Sequence, residues 1–422
     1  IMTPPIHATR QSELKISKFH RLCMTLFCKQ LDGFKEGFLV IEMADSRLEF
    51  GDPKAELKSH IFVQHPHFFE AAVLGGSVGA AESYMDGEWQ TDDLTRLIRL
   101  LVRNRHLVDG MEKGLARLTG VVMQGVHWLR KNTRDGSRKN IAAHYDLGND
   151  LFELFLDREH MMYSSGLYYD FAESLEQAQT NKLARLCDKL DLQPDDHLLE
   201  IGTGWGGCAV FAALHYGCRV TTTTISQQQY DYAVRRVQEY NLQDKVTVLL
   251  EDYRDLEGQY DKLVSIEMVE AVGHHFINEY FQRCSDLLKA NGVAVIQAIT
   301  LEDHRYQQSL KSVDFIKRFI FPGSFIPCVS VLVNAAAKAQ MRLTNLEDIG
   351  PSYAQTLRVW RERFFDKEEQ VKAMGYDERF IRMWEFYLCY CEGGFIERSI
   401  SDVHLLFSKQ DTRQPQWVPQ RG

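Results

Sequence analysis

The sequence predicts an α/β protein: a doubly wound, mostly parallel sheet with helices on both faces, preceded by a smaller mixed α+β domain. Three observations predict it. From Ser174 onward, strand-like apolar runs alternate with segments of helical period, the pattern of a sheet covered on both sides. A glycine-rich turn, "GTGWGG" (202–207), follows the first of those strands directly. The residues before about 130 show short strand signals without that alternation, and a chain of 422 residues has room for two domains.

In order along the chain, "GFLVIEM" and "RLEFGD" read as short strands of a hairpin-rich region. "HPHFFEAAVLGGSVGAAESYMDGEW" follows, its small residues allowing close backbone packing. The first domain is placed at 1–130, a polar, turn-rich linker at 131–140 ("KNTRDGSRKN"), and the second domain at 141–422. "SLEQAQTNKLARLCDKLDL" is a helix that Pro194 ends. Strand-like "HLLEIG", "RVTTTTIS", "KVTVLLED", "YDKLVSIEM" and "VAVIQAIT" then alternate with helix-like "GGCAVFAALHYG", "QQQYDYAVRRVQEYNL" and "FINEYFQRCSDLLKANG". After Ile299 the alternation stops, and a largely helical, aromatic-rich tail is expected.

The 45% hydrophobic and 25% charged content is that of a globular protein. A net charge of −9 argues against bulk nucleic-acid binding. From Arg96 to Lys139, however, eleven Lys or Arg face three Asp or Glu, with apolar residues between them. That stretch reads either as a solvated linker helix or as a surface for anionic phospholipid. Nine scattered cysteines without a C-x-x-C pair, and an opening without the layout of a signal peptide, predict a reduced, cytoplasmic compartment. No metal site is expected: the adjacent His274 and His275 lack an acid at ligand spacing and read as capping or surface residues.

A glycine-rich turn after the first strand of such a sheet is where adenosine-bearing ligands bind. A dinucleotide would call for an acidic residue about twenty positions on, to grip the ribose. Here the second strand ends "TTTTIS", and the acid comes later, at Asp252 in "LEDYRDL". This suits S-adenosylmethionine better than NAD, since no pyrophosphate needs a cradle.

"AHYDLGNDLFELFLD", "MMYSSGLYY", "LLEIGTGWGG", "TISQQQ", "EDYRDL", "SIEMVEAVGHHF", "SVDFIKRFIFPG" and "YAQTLRVWRERF" follow one another as in the cyclopropane-fatty-acyl-phospholipid synthases. The chain resembles that S-adenosylmethionine-dependent family, which includes the mycolic acid cyclopropane synthases. The matching motifs run from about Ser77 to Phe407. The resemblance implies a Rossmann-like class I methyltransferase domain, a homodimer, and action at the inner face of the membrane on an unsaturated phospholipid. It implies cofactor contacts at Tyr163 and Ser164 (amino-acid end), Gly202 and Gly204 (loop), Thr224 and Gln229 (ribose) and Asp252 (adenine). Trp205 either shields the sulfonium or packs; Tyr163 and Gln229 also suit ordinary core and helix positions.

The implied reaction methylates an acyl-chain double bond and then deprotonates the resulting cation to close a cyclopropane. An alkene is a weak nucleophile and water would quench the cation, so positioning in a dry, aromatic-lined pocket is required. Tyr353 is singled out among the tail aromatics. In the family a bicarbonate is implied to take the proton, held at positions matching Ser165, Glu270, Gln297, Ile299 and Tyr353. Gln297 departs from the family's histidine and cannot carry charge, which weakens the bicarbonate assignment and leaves a methyl-branched or methylene product open. Ala271 departs too. Glu267 and Glu270 lie three apart, on one face if the segment is helical, and close carboxylates raise one another's pKa.

Overall fold

The computed structural model describes residues 16–44, 46–113, 147–415 and 417–419. The linker at 131–140 and the later part of the basic stretch, with Arg130, Lys131, Arg138 and Lys139, lie outside the described residues. The chain divides into two compact units, one comprising Ile1–Met123 and Tyr376–Gly393, the other Gln124–Gly375 and Gly394–Gly422.

In the first unit, a helix at Lys18–Leu31 begins where the Ser17 side chain accepts a hydrogen bond from the His20 amide, 3.1 Å away. Its Phe27 packs edge-on against Phe68 and Phe69. The hairpin expected from "GFLVIEM" and "RLEFGD" is present as β1 (Phe38–Met43) and β2 (Ser46–Gly51), antiparallel. With β3 (Lys58–Val63) and β4 (Trp89–Thr91) they form a sheet in the order β2-β1-β3-β4. Residues 376–393 pack in the same unit. There the Tyr84 hydroxyl donates to Glu385 at 2.6 Å and Phe386 lies 5.7 Å from the Tyr84 ring. Trp384, Phe386, Tyr387 and Tyr390, four aromatics of the tail, thus belong to this unit.

The second unit is built on a seven-stranded sheet in the order β10-β11-β9-β8-β5-β6-β7. β5 (His197–Ile201), β6 (Arg219–Thr224), β7 (Val246–Leu250), β8 (Tyr260–Ile266) and β9 (Leu288–Leu301) are parallel, as their alternation with helices requires. Apolar clusters bury both faces: Leu199, Leu263 and Ile296 on one side, Leu198, Val264 and Val295 on the other. β5 lies between β6 and β8, so strand order reverses at its carboxyl end, where open α/β sheets bind ligands.

The tail differs from expectation. β11 (Ile400–Ser408) pairs antiparallel with β9, and β10 (Arg342–Asp348) pairs antiparallel with β11 at the edge of the sheet. β10 alternates exposed and part-buried residues as an edge strand does, and β11 carries Asp402 and His404 within its buried run, which hides it from an apolar pattern.

The turn after β5 needs its glycines. Gly202, Gly204 and Gly206 have φ of +97°, +54° and +89°. A Cβ on Gly207 would run into the His160 carbonyl oxygen. Gly207→Ala is therefore expected to cost about 1–3 kcal/mol through overpacking, read as a lower midpoint of urea unfolding. An unchanged midpoint would mean the loop shifts freely.

Candidate active site

The glycine loop is held from the sheet. The amides of Gly202 and Thr203 both donate to the Thr223 carbonyl on β6. Beneath it, Glu200 is buried and accepts from Thr222 Oγ1 at 3.0 Å, while Thr222 and Thr203 share a 2.7 Å hydroxyl contact. Burial pushes the Glu200 carboxyl up to about 7. Gly204 faces open space: a Cβ there would meet nothing within 4 Å. That opening beside a positive-φ glycine, at the switch point of the sheet, fits an adenosyl ligand approaching the backbone.

Of the residues expected around this ligand, Thr224 ends β6, Asp252 follows β7, Gln229 lies on the helix Gln227–Glu239, Trp205 is in the glycine loop, and Tyr163 and Ser164 precede the helix Leu175–Lys189. Thr224 Oγ1 donates to Gln229 Oε1 at 2.9 Å, so the two expected ribose contacts already touch. Asp252 ends the β7 turn and is paired through both oxygens with Arg254, at 2.9 and 2.8 Å. Trp205 is buried, its Nε1 donating to Asn149 Oδ1 at 2.8 Å and its ring 4.9 Å from Phe152. Tyr163 lies among Phe152, Phe155 and Trp360. The Ser164 hydroxyl accepts from the buried Lys182 ammonium at 2.7 Å.

The second group of expected residues converges on Glu267. This residue follows β8 with φ +50°, a left-handed conformation unusual for a side chain of this size, and its amide donates to the Gln297 carbonyl at 2.7 Å. Its Oε1 accepts from the Ser165 amide at 3.0 Å and from Gln297 Nε2 at 2.8 Å. Its Oε2 accepts from the Tyr353 hydroxyl at 2.8 Å. Each donor is fixed in turn. Lys182 Nζ donates to the Ser165 carbonyl at 3.0 Å, and Tyr353 stacks on Phe395 at 4.5 Å. Gln297 is fully buried, its Oε1 taking a 2.9 Å hydrogen bond from His404 Nε2. Burial holds His404 neutral, well below the usual imidazole range. That leaves Gln297 Nε2 to face Glu267 and, at 3.1 Å, Asp402.

Glu270 sits on the short helix Val269–Val272, and Glu267 lies outside it, so the two acids do not share a helical face as the sequence spacing suggested. Glu270 Oε1 accepts from the Ile299 amide, and its other oxygen is buried without a partner. Burial first and the Glu267 charge second push the Glu270 carboxyl up to about 8. The buried Asp402 carboxyl is driven well above the carboxylate range, again by burial and then by Glu267. The acid cluster adjoins the glycine loop, because a Cβ on Gly202 would strike Met268.

Ser165, Gln297 and Tyr353 thus meet at one point, and Glu270 and Ile299 meet beside it. Asp402, His404 and Lys182 were not anticipated. Lys182 sits in a charged helix that looks like surface, and the other two lie on a strand read as helical tail. Among the described residues no group of three or more His, Cys, Asp or Glu is arranged to hold a metal.

The Glu270 carboxyl has an ordinary value of 4.5 and about 8 in the fold. Between these values the unfolded chain is ionised while the folded one keeps its proton. Its stabilising contribution is complete below about pH 4.5 and is lost as the pH rises to about 8. The stability of Glu270→Gln relative to the parent is expected to increase by roughly 1 kcal/mol per pH unit between about pH 5 and pH 8, measured by urea unfolding. A constant difference would contradict this assignment.

The family model for mycolic acid cyclopropane synthetase matches residues 132–405. The tuberculostearic acid methyltransferase UfaA1 of Mycobacterium tuberculosis is 37% identical over 364 residues, 82% of this chain and 81% of that protein. The cyclopropane-fatty-acyl-phospholipid synthase of Escherichia coli strain K12 is 35% identical over 356 residues, 83% of this chain and 87% of that one. The solved structure of the cyclopropane synthase MmaA2 from M. tuberculosis superposes with a TM-score of 0.60 at 29% identity, covering 64% of this chain and 98% of that one. With the loop geometry, these matches establish that the chain belongs to the mycolic acid cyclopropane synthetase family and is an S-adenosylmethionine-dependent methyltransferase.

Proposed function

We propose that this enzyme transfers the methyl group of S-adenosylmethionine to a cis double bond in an unsaturated phospholipid acyl chain. Deprotonation of the resulting cation then gives a cyclopropane fatty acid. The observation that carries the reading is the adjacency of an open glycine loop and a buried acid cluster, joined where Met268 meets Gly202.

When bound, S-adenosylmethionine supplies an electrophilic methyl. Tyr163, Ser164, Gly202, Gly204, Thr224, Gln229 and Asp252 are the residues that would hold it, with Trp205 closing the loop side. Arg254 engages both Asp252 oxygens, so an adenine amino group would share a lone pair rather than find a free carboxylate. Rings from Phe152, Tyr163, Trp360 and Tyr353 exclude water and offer π-faces to a cation. Proton removal falls to the acid cluster around Glu270.

The alternative product, a methyl-branched or methylene lipid, is supported by the similarity to a tuberculostearic acid methyltransferase and by Gln297 at the position where the family resemblance implies histidine. Mass spectrometry of lipids from cells expressing the protein and fed labelled methionine separates the two. A labelled chain without a double bond that opens only under harsh hydrogenation is the expected cyclopropane. A branched or still unsaturated chain would overturn ring closure, and no label in lipid would overturn the lipid substrate.

Glu270→Gln is expected to abolish turnover, a loss of about a hundredfold or more, with S-adenosylmethionine affinity within a few fold by calorimetry. Full activity would remove Glu270 from the chemistry. The reading also places the enzyme in the cytoplasm, as a homodimer docked peripherally on the membrane through residues 1–130 and the basic stretch. Reversing Arg130, Lys131, Arg138 and Lys139 is expected to weaken binding to anionic vesicles by about 1 kcal/mol per charge at low salt, measured by vesicle co-sedimentation. Unchanged binding would return that stretch to a linker.

A further inference from the structure

The bicarbonate that the family resemblance implies does not fit the residues present. Of its five expected holders, the Ser165 amide, Gln297 Nε2 and the Tyr353 hydroxyl all donate to the Glu267 carboxylate, at 3.0, 2.8 and 2.8 Å. The other two pair with each other, the Ile299 amide donating to Glu270. Every donor that would grip a small carboxylate-like anion already grips one, and it is covalently part of the chain. A separate anion would also face the Glu267 carboxylate at close quarters, a repulsive arrangement.

The seat is built for Glu267. Its backbone is held at φ +50°, where side chains other than glycine and asparagine are strained, and such strain persists only when the surroundings over-determine it. The Ser165 amide, Gln297 Nε2 and the Tyr353 hydroxyl all donate to the carboxylate. Asp402 behind it is driven towards its protonated form by burial and by the Glu267 charge. Lys182, buried and with its proton affinity lowered by that burial, anchors Ser164 and Ser165 through its Nζ.

We propose that Glu267 is the proton acceptor of this enzyme, its own carboxylate taking the place of bicarbonate. The inference rests on the methyl-transfer reading above. Once the alkene's electron pair has become the new bond to the methyl carbon, a C–H bond of that methyl breaks. Its electron pair closes the third side of the ring, and the proton becomes the O–H of a Glu267 carboxylic acid, later lost to water.

The test uses the full-length enzyme on vesicles of unsaturated phosphatidylglycerol, in buffer purged of carbon dioxide, with and without added bicarbonate. Wild-type turnover is expected to change less than about twofold with bicarbonate. Glu267→Gln should lose about a hundredfold or more, with S-adenosylmethionine affinity kept within a few fold. Glu267→Gly suits the positive φ and frees the three donors. It should be slow without bicarbonate, recover about tenfold or more with it, and bind ¹³C-bicarbonate by NMR where the wild type does not. Bicarbonate binding to the wild type, collapse of wild-type activity on purging, or full activity in Glu267→Gln would each overturn the proposal. Wild-type enzyme that labels no lipid under either condition would instead overturn the methyl-transfer reading, and the proposal with it. The ¹³C-bicarbonate measurement tests occupancy of the seat without any turnover.

Discussion

A carboxylate drawn partly out of water must find hydrogen-bond donors inside the protein, and the second unit supplies them at the half-buried Glu267. Its donors come from three places remote in sequence: Ser165 before the helix Leu175–Lys189, Gln297 on β9 and Tyr353 on the helix Gly350–Asp366. Each is itself secured. Ser165 is braced by Lys182, Gln297 by His404 and Asp402, and Tyr353 by Phe395. The antiparallel pairing of β11 with β9, which sets His404 opposite Gln297 and Asp402 opposite Ile299, is therefore part of the site as much as of the sheet.

Three carboxyl groups crowd this corner, and their environments push them apart in character. Glu270 accepts one backbone amide and keeps an unpartnered oxygen, so burial dominates and the proton is held to about 8. Asp402 is fully buried and is also raised well above the carboxylate range, by burial first and the Glu267 charge second. Glu267 takes three donors. Gln297 is held by His404 with its amide nitrogen towards the acids. A neutral donor at this position therefore serves a carboxylate where the family's histidine is implied to serve a free anion.

The methyltransferase core was legible because its signals are local. Alternating apolar runs and helical periods marked five parallel strands, and the glycine turn marked the switch point. The hairpin β1–β2 was legible for the same reason. β10 and β11 were not: one is an edge strand with alternating exposure, and the other has polar residues buried for the site's sake. The left-handed turn at Glu267 was invisible as well, since a glutamate three residues before Glu270 suggests a helical pair.

By itself the sequence determined the parallel sheet, the ligand-binding turn and the chemical types needed around it, because strand period, helix period and glycine freedom are properties of neighbouring residues. Only the tertiary structure decided which acid stands at the meeting point of Ser165, Gln297 and Tyr353. That outcome depends on donors brought together from residues 165, 297, 353 and 404, and on burial that moves each carboxyl's proton affinity, neither of which any local pattern encodes.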